Sequence, residues 1–312
     1  MTRLRLPALL AVVAFAVAPA GCGFGAGEEQ SGDGVSLRVT RDFGQDLLSS
    51  ARAGKVREDQ TAMRLLRANN DVETRFGGGF VQGIDGLAGG GAGDTRDWFY
   101  YVNGIEADRG AGEYELEPGD VVQWDYRDWR ETMDVRAIVG AFPEPFLHGL
   151  EGKRFPVRVE CEDAESGACR AVKDELIDAG VPATGSSLGA SGTQNVIRVV
   201  VATWDSARVL PTAAVLESGP RESGVFARFT GEEGDVELLD PAGEVARTGG
   251  PDTGIVAAVR PTEKELVWLV TGGGEQSVDE AAKAFNADSL RDAFAVAVEG
   301  GTVSPLPLEA TR

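Results

Sequence analysis

Trp98-Phe-Tyr-Tyr-Val-Asn-Gly-Ile105, followed by Tyr114-Glu-Leu-Glu-Pro-Gly-Asp-Val-Val-Gln-Trp-Asp-Tyr126, is the most informative part of the chain. Asn103-Gly104 between two β-prone runs is a strong hairpin signal, because the central residues of a tight hairpin turn need positive φ. Pro118-Gly119 turns the chain again into a strand, Val121 to Tyr126, in which Val122, Trp124 and Tyr126 share one face. Alternation through Trp98-Phe99-Tyr100-Tyr101 sends two rings to each side. One pair therefore fills the core of this domain, and the other faces outward or into an interface.

Upstream, Val35, Leu37 and Val39 alternate with polar residues as a half-buried strand. Thr61 to Arg67 reads as a short amphipathic helix, capped by Asp59 or Thr61 and stopped near Asn69-Asn70. Val72 to Phe76 and Phe80 to Ile84 read as strands around Gly77-Gly78-Gly79. No Lys-Ser or Lys-Thr follows the glycine run 86–93, so it is not a phosphate loop. A strand, a helix and several strands between 35 and 129 predict a small mixed sheet gripping one helix.

The segments TAMRLLRAN (61–69), FVQGIDGL (80–87), DWFYYVNG (97–104) and YELEPGDVVQWDY (114–126) resemble, in order and spacing, the transcobalamin-like C-terminal domain family. The resemblance covers nearly all of 36–129. It implies a β-grasp-type fold and a corrinoid ligand, since in vitamin carriers of that family this domain covers one corrinoid face while a helical barrel holds the other. No such barrel is legible here. By the same resemblance, the hairpin at Asn103 and Gly104 and the rings of Trp98, Tyr100 and Tyr101 would face the ligand. Read as residues, these rings serve a core or a surface that stacks on a planar molecule. Asp85, Asp94 and Asp97 beside the glycine loop lack a calcium-loop spacing, and no metal site is expected.

The remainder predicts an α/β second domain at 154–305, joined by a linker, 130–153, and followed by a tail, 306–312. Its strands are read at Arg154–Cys161, Val196–Val201, Val225–Thr230, Val236–Leu239, Ile255–Val259, Leu266–Thr271 and Phe294–Val298. Helices are read at Cys169–Ala179, near Pro211, from a capping box at Ser277-Val-Asp-Glu280, and after Asp288. Cys161 and Cys169 in an exported chain read as a structural disulfide. Thr271-Gly272-Gly273-Gly274 reads as a turn. His148, the only histidine, lies in a proline-rich stretch and reads as a solvated linker residue. Nothing assembles a nucleophile, a base and an orienting group, so no catalytic residues and no cofactor are expected.

Residues 1–21 have a basic start (Arg3, Arg5), an apolar run from Leu6 to Ala18 too short to span a bilayer, and the ending Pro19-Ala20-Gly21 before Cys22. This resembles a bacterial lipoprotein signal, which implies a lipidated Cys22, a flexible tether over 22–34, and residence at the outer face of the cytoplasmic membrane. Losing Arg3 and Arg5 takes the net charge from −20 to −22. Such an acidic surface argues against nucleic-acid binding, which needs clustered cations. Two functions follow as expectations: capture of a small planar ligand, with a corrinoid the specific case, or docking on an envelope partner such as a transporter.

Overall fold

The structure is a computed structural model describing residue 30 and residues 32–89, 93–192, 194–230 and 234–309. The stretch read as a signal peptide, Cys22 and most of the stretch read as a tether lie outside the described residues. Among those residues no helix is long and apolar enough to cross a membrane.

The first unit contains strand β1 (Val35–Arg41), β2 (Asp46–Ala53), helix α1 (Ala62–Asn69), β3 (Val72–Arg75), β4 (Phe80–Ile84), β5 (Leu87–Ala88), β6 (Arg96–Val102), β7 (Ile105–Glu106) and β8 (Val121–Asp128). Its main sheet runs β2-β1-β8-β6-β7, with β1 and β8 parallel and the other pairs antiparallel. β3, β4 and β5 form a separate small sheet. α1 starts where the Thr61 hydroxyl accepts the Arg64 N–H at 3.2 Å. It ends where Asn70 turns extended. Ala62, Met63, Leu65 and Leu66 form its buried stripe, packed with Val35, Leu37, Val39, Trp98, Val122, Trp124 and Tyr126 of the sheet. β2 has no apolar alternation; it is an edge strand exposing Leu47 and Leu48.

The second unit is built on a seven-stranded sheet. Its elements are β9 (Val157–Cys161), α2 (Gly167–Asp178), β10 (Ala183–Ser187), β11 (Ile197–Thr203), three short helices α3 (Trp204–Ala207), α4 (Pro211–Ala214) and α5 (Pro220–Ser223), β12 (Ala227–Thr230), β13 (Asp235–Leu239), β14 (Val245–Gly249), β15 (Gly254–Thr262), β16 (Glu265–Gly272), α6 (Glu275–Lys283), α7 (Ala287–Leu290), β17 (Ala295–Glu299) and β18 (Thr302–Leu306). The sheet order is β10-β9-β11-β16-β15-β17-β18, parallel from β10 to β16 and antiparallel beyond. Both faces are buried, which is why Val199–Ala202 and Leu266–Val270 read as unbroken apolar runs. α2 and α6 cover one face. The short helices, the β12-β13-β14 sheet and part of the first unit cover the other. The whole is an α+β protein.

Three local expectations need correcting. α6 begins two residues before Ser277, whose hydroxyl bonds back to Gly274, accepting its N–H at 3.0 Å and donating to its carbonyl at 2.8 Å. Asn286, not Asp288, caps α7 by accepting the Asp288 and Ser289 N–H groups. The tail overlaps β18, and Leu306 is buried. The Cys161–Cys169 disulfide is formed, tying the end of β9 to the first turn of α2, which Ser166 caps.

The stretch read as a linker, 130–153, is instead a buried strap between the two units. Val135 and Ile138 join one core of the second unit, and Ala137, Val139, Phe142 and Phe146 the other. The Phe142 ring meets Phe285 at 5.0 Å, and Phe146 meets Trp268 at 4.8 Å. Prolines suggested exposure, but Phe142 and Phe146 pin the stretch into the core beside Trp268 and Phe285. His148 is correspondingly mostly buried, its side chain only 18% exposed. Its Nδ1 lies 2.6 Å from Glu144 Oε1, and its ring lies where a side chain on Gly119 would have to stand.

Candidate functional site

β6 places its four rings on two different cores, as alternation requires. Trp98 and Tyr100 pack toward α1, with Tyr100 stacked on Trp124 at 4.8 Å. Phe99 and Tyr101 pack toward the second unit, where Tyr101 meets Phe294 at 5.4 Å and is fully buried. Burial raises the phenol pKa of both Tyr100 and Tyr101 well above the usual range.

The Asn103-Gly104 turn is also inside the protein. Asn103 Nδ2 donates to Asp120 Oδ1 and to the Gly149 carbonyl, both at 2.8 Å, and its Oδ1 accepts the Val121 N–H at 2.9 Å. Gly104 has φ 75°, and a Cβ there would lie 2.6 Å from the Ile138 carbonyl oxygen. The turn is thus the seat of the strap. This revises the expected ligand face: Tyr101, Asn103 and Gly104 have no free surface for a ligand, because the second unit and the strap occupy it. Trp98 is largely buried as well, its indole N–H donating to the Leu87 carbonyl at 3.0 Å.

What remains open on this side is a groove of about 560 Å³ where β6 and β7 meet the strap and the β15–β16 hairpin. Phe80, Trp98, Phe99, Tyr100 and Met133 supply its apolar wall. Phe80 is 38% and Met133 56% exposed, and both lie on the same groove. The Tyr100 hydroxyl is taken, donating to the Arg109 carbonyl at 2.6 Å. Phe76, at the tip of the β3–β4 hairpin, stands 6.2 Å from Phe80 and is 86% exposed. Its hairpin is built on Phe76, Gly77 and Gly78, all at positive φ. Exposure of Phe76 and Phe80 is not legible in the sequence, where both read as strand residues, and Met133 falls in the stretch that reads as a linker.

The polar side of the groove is charged. Arg127 is completely buried, with its guanidinium 3.8 Å over the Phe99 ring, donating to the Thr132 and Met133 carbonyls at 3.1 and 2.8 Å and to Glu106 Oε1 at 3.4 Å. It thereby holds the start of the strap and sets Met133 at the groove. Burial pushes the Glu106 carboxyl up to about 7, against the opposing pull of Arg127. Burial also lowers the Arg260 pKa. A second cavity of about 380 Å³, with Arg109, Tyr114, Lys153 and Phe155 on its walls, shares Glu106, Asp108 and Arg260 with the groove. Among the described residues no group of three or more His, Cys, Asp or Glu side chains is arranged to hold a metal ion. Asp85 is engaged by the Asp71 N–H at 2.8 Å.

A family profile described as "Domain of unknown function (DUF4430)" matches residues 59–128, from the start of α1 to the end of β8. The chain is similar to a solved protein of Ruminococcus gnavus ATCC 29149 described as a "putative metal binding protein", at 14% identity and a TM-score of 0.24, over 31% of this chain and 97% of that one. It is also similar to haptocorrin in complex with Cbi, at 17% identity and a TM-score of 0.24, over 36% of this chain and 29% of haptocorrin. No curated protein matches.

Proposed function

We propose that this chain is an exported lipoprotein, anchored through Cys22 at the outer face of a bacterial cytoplasmic membrane, that captures a flat small ligand in the groove between its two units. The observation that carries the reading is the ring-lined wall. Phe80, Trp98, Phe99, Tyr100 and Met133 converge on one groove, and two of them leave substantial apolar surface exposed. An aromatic wall to stack on, facing polar groups that fix a ligand's orientation, is a pairing that small-molecule sites use. The main sheet order, with its parallel pair β1–β8 and α1 packed on one face, is compatible with the β-grasp-type fold that the resemblance to the transcobalamin-like domain implies, and it supports this reading. A corrinoid is the ligand that this resemblance implies. The strap and the β15–β16 hairpin take the place of a barrel as the other side of the site.

The test is a titration of the full-length chain in detergent with cobalamins and simpler corrinoids, followed by tryptophan quenching. Saturable binding with Kd at or below about 1 μM is expected. The Phe80→Ala, Met133→Ala double variant weakens it by about tenfold or more with an unchanged melting temperature, since both side chains are exposed. No binding up to about 1 mM rejects the reading. The second reading, docking on a protein partner such as a transporter, is favoured by one observation, the exposed Phe76 ring at the hairpin tip.

A further inference from the structure

Glu106 is the one carboxylate at the groove that the fold buries without fully using. Its Oε1 receives the long 3.4 Å contact from Arg127, and its other oxygen takes no hydrogen bond among the described residues. The side chain keeps 18% of its surface exposed, and the residue lines both the aromatic groove and the adjoining cavity. Arg127 is mostly spent on the strap carbonyls. An acceptor in this position, beside a wall of rings, carries the desolvation cost of a half-buried charge and lacks the donors that would offset it.

The surroundings limit what could supply that donor. The charged groups facing Glu106 are Arg127 of β8, Asp134 and Arg136 of the strap, and Arg260 of the β15–β16 hairpin. Asp108, which follows β7, and Glu263 of the hairpin complete the rim. Counting Glu106, these are four carboxylates against three guanidiniums. The Arg136 guanidinium is engaged by the Pro261 carbonyl at 3.1 Å, and Arg260 by the Glu263 carbonyl at 2.9 Å. Arg136 and Arg260 each spend one donor on a backbone carbonyl, and Arg136 also lies 3.8 Å from Asp134, so the rim carries donors as well; Glu106 is the carboxylate beside the aromatic wall that keeps an oxygen open.

We propose that Glu106 selects the ligand of this groove, accepting a hydrogen bond from an ammonium or amide N–H at the edge of a flat molecule whose face lies on the aromatic wall. The inference rests on the groove being a ligand site and adds to it the chemistry of the group recognised. A ligand bearing a carboxylate at that edge meets Glu106 as a like charge and is rejected.

Three matched fluorescent probes test this on the full-length chain by anisotropy: 1-pyrenemethylammonium, 1-pyreneacetamide and 1-pyreneacetate. At about pH 8, where Glu106 is ionised, the ammonium and amide probes bind at least about tenfold more tightly than the acetate. The ammonium also binds more tightly than the amide, since its charge pairs with the carboxylate, and Glu106→Gln removes that advantage. In the unaltered protein the same advantage disappears as pH falls to about 5.5, because Glu106 takes up a proton through its raised pKa. This second readout needs no variant to fold. Acetate binding as tightly as ammonium, or the same ranking in Glu106→Gln, overturns the role of Glu106 while leaving the groove a site. Failure of all three probes to bind overturns the groove itself, and the inference with it.

Discussion

Phe43 shows how one side chain joins the two units. It lies in the β1–β2 turn, where Asp42, Phe43 and Gly44 all take positive φ. Asp125 holds that turn, accepting the Phe43 N–H at 3.1 Å, the Gly44 N–H at 2.9 Å and the Thr40 hydroxyl at 2.7 Å. The ring so presented is buried edge-on against Phe226 at 4.8 Å and Phe294 at 5.4 Å, both from the second unit. Removing it as Phe43→Ala leaves a cavity that rigid β-structure on both sides cannot close. The expected cost is about 3–5 kcal/mol in denaturant unfolding. A loss below about 1 kcal/mol would mean that the ring does not hold the units together. Nothing in Arg41-Asp-Phe-Gly-Gln45 marks this role, because a lone Phe in a turn has no periodicity to read.

Among the elements, those with strong local signals were legible. α1 was readable from Thr61 and its apolar spacing, β6 and β8 from alternation around Asn103-Gly104, and α2 from the residues between Cys169 and Gly180. The disulfide at the start of α2 closes a short loop between positions 161 and 169. On the chain-entropy view, its loss in the Cys161→Ala, Cys169→Ala variant costs about 2–3 kcal/mol. Urea unfolding measures this, and an unchanged midpoint would show that the bond constrains nothing the fold does not already fix. Edge strands were not legible. β2, β10 and β14 have mostly exposed or half-exposed residues, so backbone pairing and not apolar pattern defines them. The strap escaped for a related reason: its prolines and glycines are loop signals, and its burial comes from neighbours far away in sequence.

For the molecule as a whole, several carboxyls are buried at or near the contact between the units. Burial raises Glu106 to about 7 and both Asp120 and Asp125 to about 6. In the unfolded chain these groups ionise near their ordinary values, so between about pH 4.5 and 7 the native state holds more protons than the unfolded one. Stability therefore falls as pH rises through that window. Carboxyls with lowered pKa, such as Glu160 beside Arg198 and Glu162 under Thr203 and Ser206, act in the opposite sense only at lower pH. The excess negative charge of the sequence adds to the trend as it ionises. Thermal melts are expected to give a higher Tm at about pH 5 than at about pH 8; the reverse order would refute this balance.

Local chemistry along the chain was enough for the central strands of the two larger sheets, the helices α1 and α2, the disulfide and the division of four consecutive rings between two faces, because each depends on spacings of a few residues. It was also enough to bring attention to β6. Which rings stay open was settled by packing. The second unit covers Tyr101, the strap covers Asn103 and Gly104, and the places left on the groove fall to Phe80 and Met133, which come from other segments. Burial of a side chain depends on what arrives from elsewhere in the chain, and here a strap that read as a linker and a turn at Phe43 that no spacing marks bring the two larger sheets together.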